Sequence, residues 1–299
     1  MRIVTRPDFD GIVCAVLLHE AETIDSDIYW VEPSDIQNKT AIIKTGDIIA
    51  NLPYDPRCSL WFDHHVSNQP GKEVKGAFGI APSAAGVIFH HYRQQGKFAG
   101  RFDELIAHTD MIDSADLTKE QVQFPENHPY LLLSMTIQNR GESDHAYWNK
   151  LVFMLGKQTI GSILEDPQVQ DRCNGVIREN AEFSRFLHSH TTIMENISVT
   201  DFRSLDNVPS GNRFLTYSLF PDTIASVKIR YLGPDKSKVL LSIGRSIFNQ
   251  GCRVNIGNLL ARFGGGGHAG AGGCTLETAI AQEKIDQILD IMRANREEK

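Results

Sequence analysis

The run Leu60-Trp61-Phe62-Asp63-His64-His65 constrains the fold of this 299-residue chain more than any other stretch. An apolar, aromatic triplet reads as a buried strand, and it ends in three consecutive side chains able to hold a metal ion. Adjacent imidazoles and a carboxylate are costly to bury without partners. The strand is therefore expected to leave the core and reach open space at its carboxyl end. A second constraint lies far along the chain, where residues 264–273 are glycine except at His268, Ala269 and Ala271. Glycines let backbone N–H groups approach phosphate oxygens as an anion nest, here with Gly265, Gly266 and Gly267 as its centre. His268 can donate to the same anion. Gly265, Gly267 and Gly270 also satisfy G-x-G-x-x-G, but the run follows a predicted helix rather than a strand, so a dinucleotide fingerprint is rejected.

Around the first constraint, short apolar runs alternate with helical stretches. Strands are expected at 2–4, 28–31, 41–43 and 59–62, and helices at 11–20, 84–95 and 102–108. This alternation predicts an α/β domain, a mainly parallel sheet with helices on both faces. Ligands of such sheets gather beyond the carboxyl ends of the strands. The predicted domain covers 1–190, largely helical after about 142. A turn-rich stretch around 207–212 places a linker at 191–210. Residues 211–299 form a smaller α/β unit, with strands at 214–219, 225–232 and 238–243 and helices at 254–263 and 276–295.

Acids collect where the predicted strands end. Asp8 and Asp10 follow the first strand, two residues apart, and Gly11 allows a tight turn into the next helix. Asp47 follows the apolar run Ala41-Ile42-Ile43. Asp110, Asp113 and Asp116 end a helical stretch, a place the helix dipole does not favour for acids. Asp110 is the preferred ligand of the three and Asp113 the alternative. Carboxylates mixed with histidine suit Mn²⁺, with Mg²⁺ the alternative. His90-His91 falls inside a predicted helix, so its rings diverge by about 100° and are read as surface or core histidines.

Asp8-x-Asp10-Gly11, Asp47, Asp63-His64-His65 and Asp110, in this order, resemble the four motifs of the DHH phosphoesterase family. The glycine–histidine run resembles the motif of its C-terminal associated domain. The chain is most similar to the oligoribonuclease, phosphoadenosine phosphate phosphatase and exopolyphosphatase-like branch. The resemblance implies that Asp8 and Asp10 ligate separate metals, that Asp47 bridges them, and that His64 and Asp110 complete the second site. It further implies that His65 contacts the scissile phosphate, that Asp63 orients His64, and that Arg245, after a strand, binds substrate with His268. One departure stands out. Many members carry a histidine where this chain has Val4, which leaves one metal site short of a ligand, so one or two ions are expected.

Composition bounds the partners. With 30 basic against 37 acidic residues, the net charge of -7 disfavours a long duplex, whose binding calls for a basic face. No apolar run approaches the length of a membrane span, and no signal-peptide core is present. Five scattered cysteines without a Cys-x-x-Cys read as reduced thiols in a cytoplasmic protein. The expectation is a metal-dependent phosphohydrolase acting on small anionic substrates, short single-stranded oligonucleotides or a nucleoside bisphosphate. An exopolyphosphatase and a non-catalytic nucleotide sensor are the alternatives, and a homodimer is the default assembly.

Overall fold

The computed structural model describes all residues except 72, 138–142, 206, 208, 210 and 297–299. The chain divides into two compact units, Met1–Leu117 with Pro125–Asn174, and Thr118–Phe124 with Gly175–Lys299. Among the described residues, no helix is long and apolar enough to cross a membrane.

In the first unit, β1 (Ile3–Thr5), β2 (Tyr29–Trp30), β3 (Ile48–Ala50), β4 (Leu60–Asp63) and β5 (Gly76–Phe78) form one sheet in the order β2-β1-β3-β4-β5. Every pairing is parallel, so all carboxyl ends open on one edge. The helices are α1 (Phe9–Ala21), α2 (Pro33–Gln37), α3 (Ala84–Arg93), α4 (Asp103–Asp113), α6 (Pro129–Met135), α7 (Ser143–Lys157) and α8 (Ile160–Leu164). Between them in the chain, α5 (Lys119–Gln123) belongs to the second unit.

Residues Phe9 to Leu18 of α1 are all buried, as expected of a helix apolar on every side. It packs against α3, α4 and α7. On the other face of the sheet, Val4, Ile49 and Trp61 share a row and pack with Val31, Ala41 and Ile43, with Ile36 of α2 against them. The predicted parallel α/β domain with helices on both faces is therefore present.

Residues 41–43, expected as a strand, are instead a loop that closes this core. Ala41 and Ile43 are buried while Ile42 is exposed, and the strand lies further on, at the fully buried Ile48-Ile49-Ala50. A short apolar run does not by itself distinguish a core-closing loop from a strand.

In the second unit, β6 (Thr191–Met194), β7 (Ile197–Asp201), β8 (Ala225–Leu232), β9 (Lys238–Arg245), β10 (Gly266–His268) and β11 (Ala271–Glu277) form a mixed sheet, ordered β10-β11-β9-β8-β7-β6. Among these strands, only β7 and β8 pair in parallel. The helices α11 (Ile256–Ala261) and α12 (Thr278–Ala294) bury one face around Val227, Leu241, Ile256, Leu260 and Ile288. The long α9 (Pro167–His190) runs from the first unit into the second. Residues 118–124 are tied to the second unit by Asn180 Nδ2 donating to Gln123 O at 3.1 Å, and by Gln123 Nε2 donating to Ser218 O at 3.0 Å.

Two expectations change here. Residues 191–201, read as linker, pair as β6 and β7, because Ile197 to Thr200 supply a buried strand. Asp206, Val208 and Ser210 of that linker lie outside the described residues. Residues 214–219, read as a strand, contain α10 (Leu215–Leu219). Asn212 Oδ1 accepts from Phe214 N at 3.0 Å and turns the chain into that helix, overriding the strand preference of Tyr and Thr.

Candidate metal centre

The carboxyl edge of the parallel sheet gathers the acids. Asp8 follows β1 and caps α1, accepting from Gly11 N at 2.8 Å. Gly11 is required there because a Cβ would stand 2.0 Å from Arg6 O. Asp10 lies in the first turn of α1 and is 1% exposed. Its oxygens accept from Ala84 N at 3.0 Å and Ala85 N at 2.8 Å, so one acid satisfies two orphan donors at the start of α3. Ser83, the cap of α3, takes the Gly86 N–H at 2.9 Å.

Both carboxyls are raised, and burial is the main cause. Burial pushes Asp8 up to about 6, against the pull of the Arg6 guanidinium. Burial, with the charges of Asp113 and Asp8, holds Asp10 well above the usual carboxylate range. The Cys14 thiol is pushed up by burial and by the same acids, and donates to Asp10 Oδ1 at 3.8 Å. It stays a protonated neighbour rather than a thiolate ligand.

His64 completes the cluster. Its Nδ1 is 2.9 Å from the carbonyl oxygen of Ala81, past β5. A carbonyl only accepts, so Nδ1 carries the proton and Nε2 presents its lone pair. That Nε2 is buried without a hydrogen-bond partner, 3.4 Å from Asp113 Oδ2 and 4.0 Å from Asp10 Oδ2. Asp10, His64 and Asp113 offer ligand atoms within 4.8 Å of one another. An orphaned imidazole nitrogen facing two carboxylates, one of them raised by burial and then by neighbouring acids, fits a divalent cation with mixed nitrogen and oxygen ligands.

Several expected roles shift. Asp63 is fully buried, and its Oδ1 accepts from His64 N at 2.9 Å and His65 Nδ1 at 2.8 Å. Its Oδ2 accepts from Asn68 Nδ2 at 2.6 Å. Asp63 therefore aims the ring of His65, whereas Ala81 aims that of His64. The Asp63 bond raises the His65 pKa above its ordinary value. Asp110 does not join the three-residue group: its Oδ1 receives the Ser83 hydroxyl at 2.5 Å, and Asp113, one turn on, faces His64.

Asp47 lies at the wrong end of the sheet. It precedes β3, where Arg2 grips it at 3.0 and 2.6 Å and Lys44 N donates at 2.7 Å. The residue at the carboxyl end of β3 is Asn51, about 13 Å further along the strand at ~3.3 Å per residue. Asn51 is 1% exposed, has φ 56°, and donates from Nδ2 to Asp8 Oδ1 at 3.0 Å. Sequence reasoning missed it, although asparagine after a buried triplet is a residue that tolerates the left-handed conformation. Arg6, 3.2 Å from Asp8 Oδ2, was missed as well.

The second unit by itself carries the expected anion donors. The glycine run is not a loose nest but a hairpin, with Gly266 opposite Gly273, Gly267 opposite Gly272 and His268 opposite Ala271. A Cβ at Gly267, whose φ is +150°, would stand 2.2 Å from Ala271 O, and one at Gly265 would stand 2.3 Å from Gly273 O. Close backbone approach explains glycine at 265, 267 and 272. His268 is exposed, and its Nδ1 accepts from Gly270 N at 3.1 Å, which puts the ring proton on Nε2 as a donor. Arg245 ends β9 beside the hairpin, its N donating to Gly270 O at 2.8 Å. Its Nη2 donates to Val254 O at 2.6 Å, while Nε is buried without a hydrogen-bond partner.

Among solved structures, the chain is similar to the pGpG-specific phosphodiesterase PggH from Vibrio cholerae, with 32% identity and a TM-score of 0.88. That likeness covers 99% of this chain and 99% of PggH. It is more distantly similar to RecJ from Thermus thermophilus in complex with Mn²⁺, at 14% identity and TM-score 0.57, covering 99% of this chain and 52% of RecJ. A second structure of exonuclease RecJ, bound to manganese, matches at 14% identity and TM-score 0.52, covering 96% of this chain and 88% of that one. These two share the fold. No protein-family model matches the chain, and no curated protein does.

Proposed function

The chain belongs to the DHH family of phosphoesterases, as a metal-dependent member, and we propose that its substrate is a short linear dinucleotide of the pGpG kind, cleaved at the phosphodiester. The observation that carries the chemistry is the unpartnered Nε2 of His64 facing Asp10 and Asp113. The full-length likeness to PggH supports the substrate.

Asp10, His64 and Asp113 would hold the ion, Mn²⁺ or Mg²⁺. When bound, it supplies Lewis-acid polarisation and charge neutralisation at the phosphoryl group. The protein's own groups do the rest. His65, whose pKa the Asp63 hydrogen bond raises, would donate in its protonated form to an oxygen of the scissile phosphate. The N-terminus of α3 fixes Asp10 in place through two backbone N–H groups. In the second unit taken by itself, His268 Nε2–H and the Arg245 guanidinium are donors suited to an anion.

The test is a substrate panel with added Mn²⁺ containing pGpG, other dinucleotides, phosphoadenosine phosphate and polyphosphate, read by chromatography of the products. Release of guanosine monophosphate from pGpG in preference to the others is expected. Phosphate release from polyphosphate with pGpG left intact would replace this reading with an exopolyphosphatase.

A further inference from the structure

We propose that Asn51 is a further ligand of the divalent ion, with its side-chain oxygen Oδ1 serving as a neutral donor from the end of β3. The inference rests on the metal-dependent reading above and adds a residue to the ligand set.

The sheet places Asn51 among the site residues. It follows β3, the strand that lies between β1 and β4. Its N donates to Phe62 O of β4 at 3.0 Å, which carries the ladder one residue past Ala50. The neighbouring chains run about 4.8 Å to either side. The one after β1 carries Asp8, and β4 runs through Asp63 into His64.

The amide itself is half satisfied. Nδ2 donates to Asp8 Oδ1 at 3.0 Å, an oxygen that also accepts from Gly11 N at 2.8 Å. This bond fixes which way the amide points, because Oδ1 turned toward Asp8 would meet another acceptor. Oδ1 is left buried with no hydrogen-bond partner, in a residue 1% exposed. A buried oxygen without a donor costs about 1–3 kcal/mol. The backbone does not explain the choice of side chain. At φ 56° the residue is left-handed, a conformation that glycine and aspartate adopt as well as asparagine. Oδ1 therefore calls for a partner from outside the chain, either a cation or a water donating to it.

Coordination chemistry favours the cation. Asp10, His64 and Asp113 bring three ligand atoms together. Mg²⁺ takes six ligands in an octahedron, so three places remain for water or for further protein oxygens. An amide carbonyl is a hard oxygen donor of the kind such ions accept. It also brings no further negative charge to an edge that already carries Asp8, Asp10 and Asp113.

The experiment titrates Mn²⁺ by calorimetry into chelator-stripped wild type, Asn51→Gly and Asn51→Asp, each checked for fold by circular dichroism. Both substitutes accept the left-handed backbone and both lose the bond donated to Asp8, but only aspartate keeps an oxygen at this position. Asn51→Gly should lose about tenfold or more in affinity, at least the loss seen with groups that merely orient a ligand, whereas Asn51→Asp should bind as tightly as wild type or more so. Equal losses in both variants would show that Asn51 acts only by holding Asp8, and no loss in Asn51→Gly would assign Oδ1 to water. Either result overturns the proposal. Contact is read separately in Asn51→Cys loaded with Co²⁺, where a thiolate ligand gives a sulfur-to-metal charge-transfer band. The wild-type protein, whose Cys14 thiol lies 3.8 Å from Asp10 Oδ1, is the blank. A folded Asn51→Cys variant that binds Co²⁺ without this band also overturns the proposal. Wild-type protein that binds neither ion would instead defeat the metal reading beneath it.

Discussion

Asp63 and His65 are joined by a bond of 2.8 Å between Oδ1 and Nδ1, and the same oxygen accepts the backbone N–H of His64 at 2.9 Å. One buried carboxylate thus steers two adjacent imidazoles to different tasks. His65 is bound through its ring and kept basic. His64 is bound through its backbone, which leaves its ring to pair with Ala81 O and turn Nε2 toward the acids.

Replacing Asp63 with asparagine separates these tasks. The Asp63 bond raises the His65 pKa by favouring the imidazolium. It therefore contributes stability below the ordinary histidine value of about 6.5, lost as pH rises through the raised value. In Asp63→Asn the alkaline limb of the kcat/KM profile should move to lower pH. Activity should fall about 10–100-fold, the usual cost of losing a group that orients a site residue. An unmoved alkaline limb would show that His65 does not act as an acid at the phosphate.

Asp110 and Asp113 are separated by comparing their asparagine variants. Asp113 Oδ2 is 3.4 Å from His64 Nε2, so Asp113→Asn should weaken Mn²⁺ binding about 10–100-fold. Asp110 holds the Ser83 hydroxyl at the start of α3. Asp110→Asn should instead lower stability by about 1 kcal/mol, the scale of one hydrogen bond, with a smaller effect on the metal. Calorimetric titration and thermal melts read both, and the reverse ordering of metal affinities would restore Asp110 as the ligand.

The two acids show where the sequence is legible. Asp8, Asp10, His64 and His65 can be read from order alone, because each lies next to an apolar run whose strand character is clear. Which of Asp110 and Asp113 faces inward depends on helical phase, and a helix that ends in three spaced acids does not reveal it. Asn51 is harder still. The strand before it is only three residues long, and an amide carries no charge to attract attention, so Asp47, at the other end of that strand, is the visible choice. Ala81 and the start of α3 act through backbone atoms and have no side-chain signature. In the second unit, the glycine run marks a close approach of main chains, which composition alone does not distinguish from a mobile cradle.

Asp47→Ala tests the placement of that acid directly. Asp47 and Arg2 side chains are 3% and 14% exposed, so the change leaves a guanidinium with its bidentate partner gone. Removing one partner of a buried pair costs about 3–5 kcal/mol. Chemical denaturation should show a loss of that order, while Mn²⁺ affinity in the folded protein stays at the wild-type value. A large drop in affinity without loss of stability would return Asp47 to the metal centre.

The acids around His64 also predict opposite pH responses for the stripped and the loaded protein. Asp8 is raised from 3.8 to about 6, and Asp10 is held well above the usual carboxylate range. A carboxyl whose folded pKa lies above its unfolded value binds its proton more tightly in the folded state. Its penalty is therefore absent in acid, grows as pH rises from the unfolded value to the folded one, and is constant above that. A tenfold difference in proton affinity between the two states amounts to about 1.4 kcal/mol. For the stripped protein, this pair should raise the melting temperature as pH falls from about 7 to about 5. With Mn²⁺ at about a hundredfold over its dissociation constant, binding to the native state adds about 2.7 kcal/mol, and protons then compete with the ion. The loaded protein should lose melting temperature over the same interval. Asp10→Asn removes one of the titrating groups and a ligand together, so both slopes should flatten in that variant. Unchanged slopes in Asp10→Asn would assign the pH response to other groups and leave the metal centre without its expected electrostatic signature.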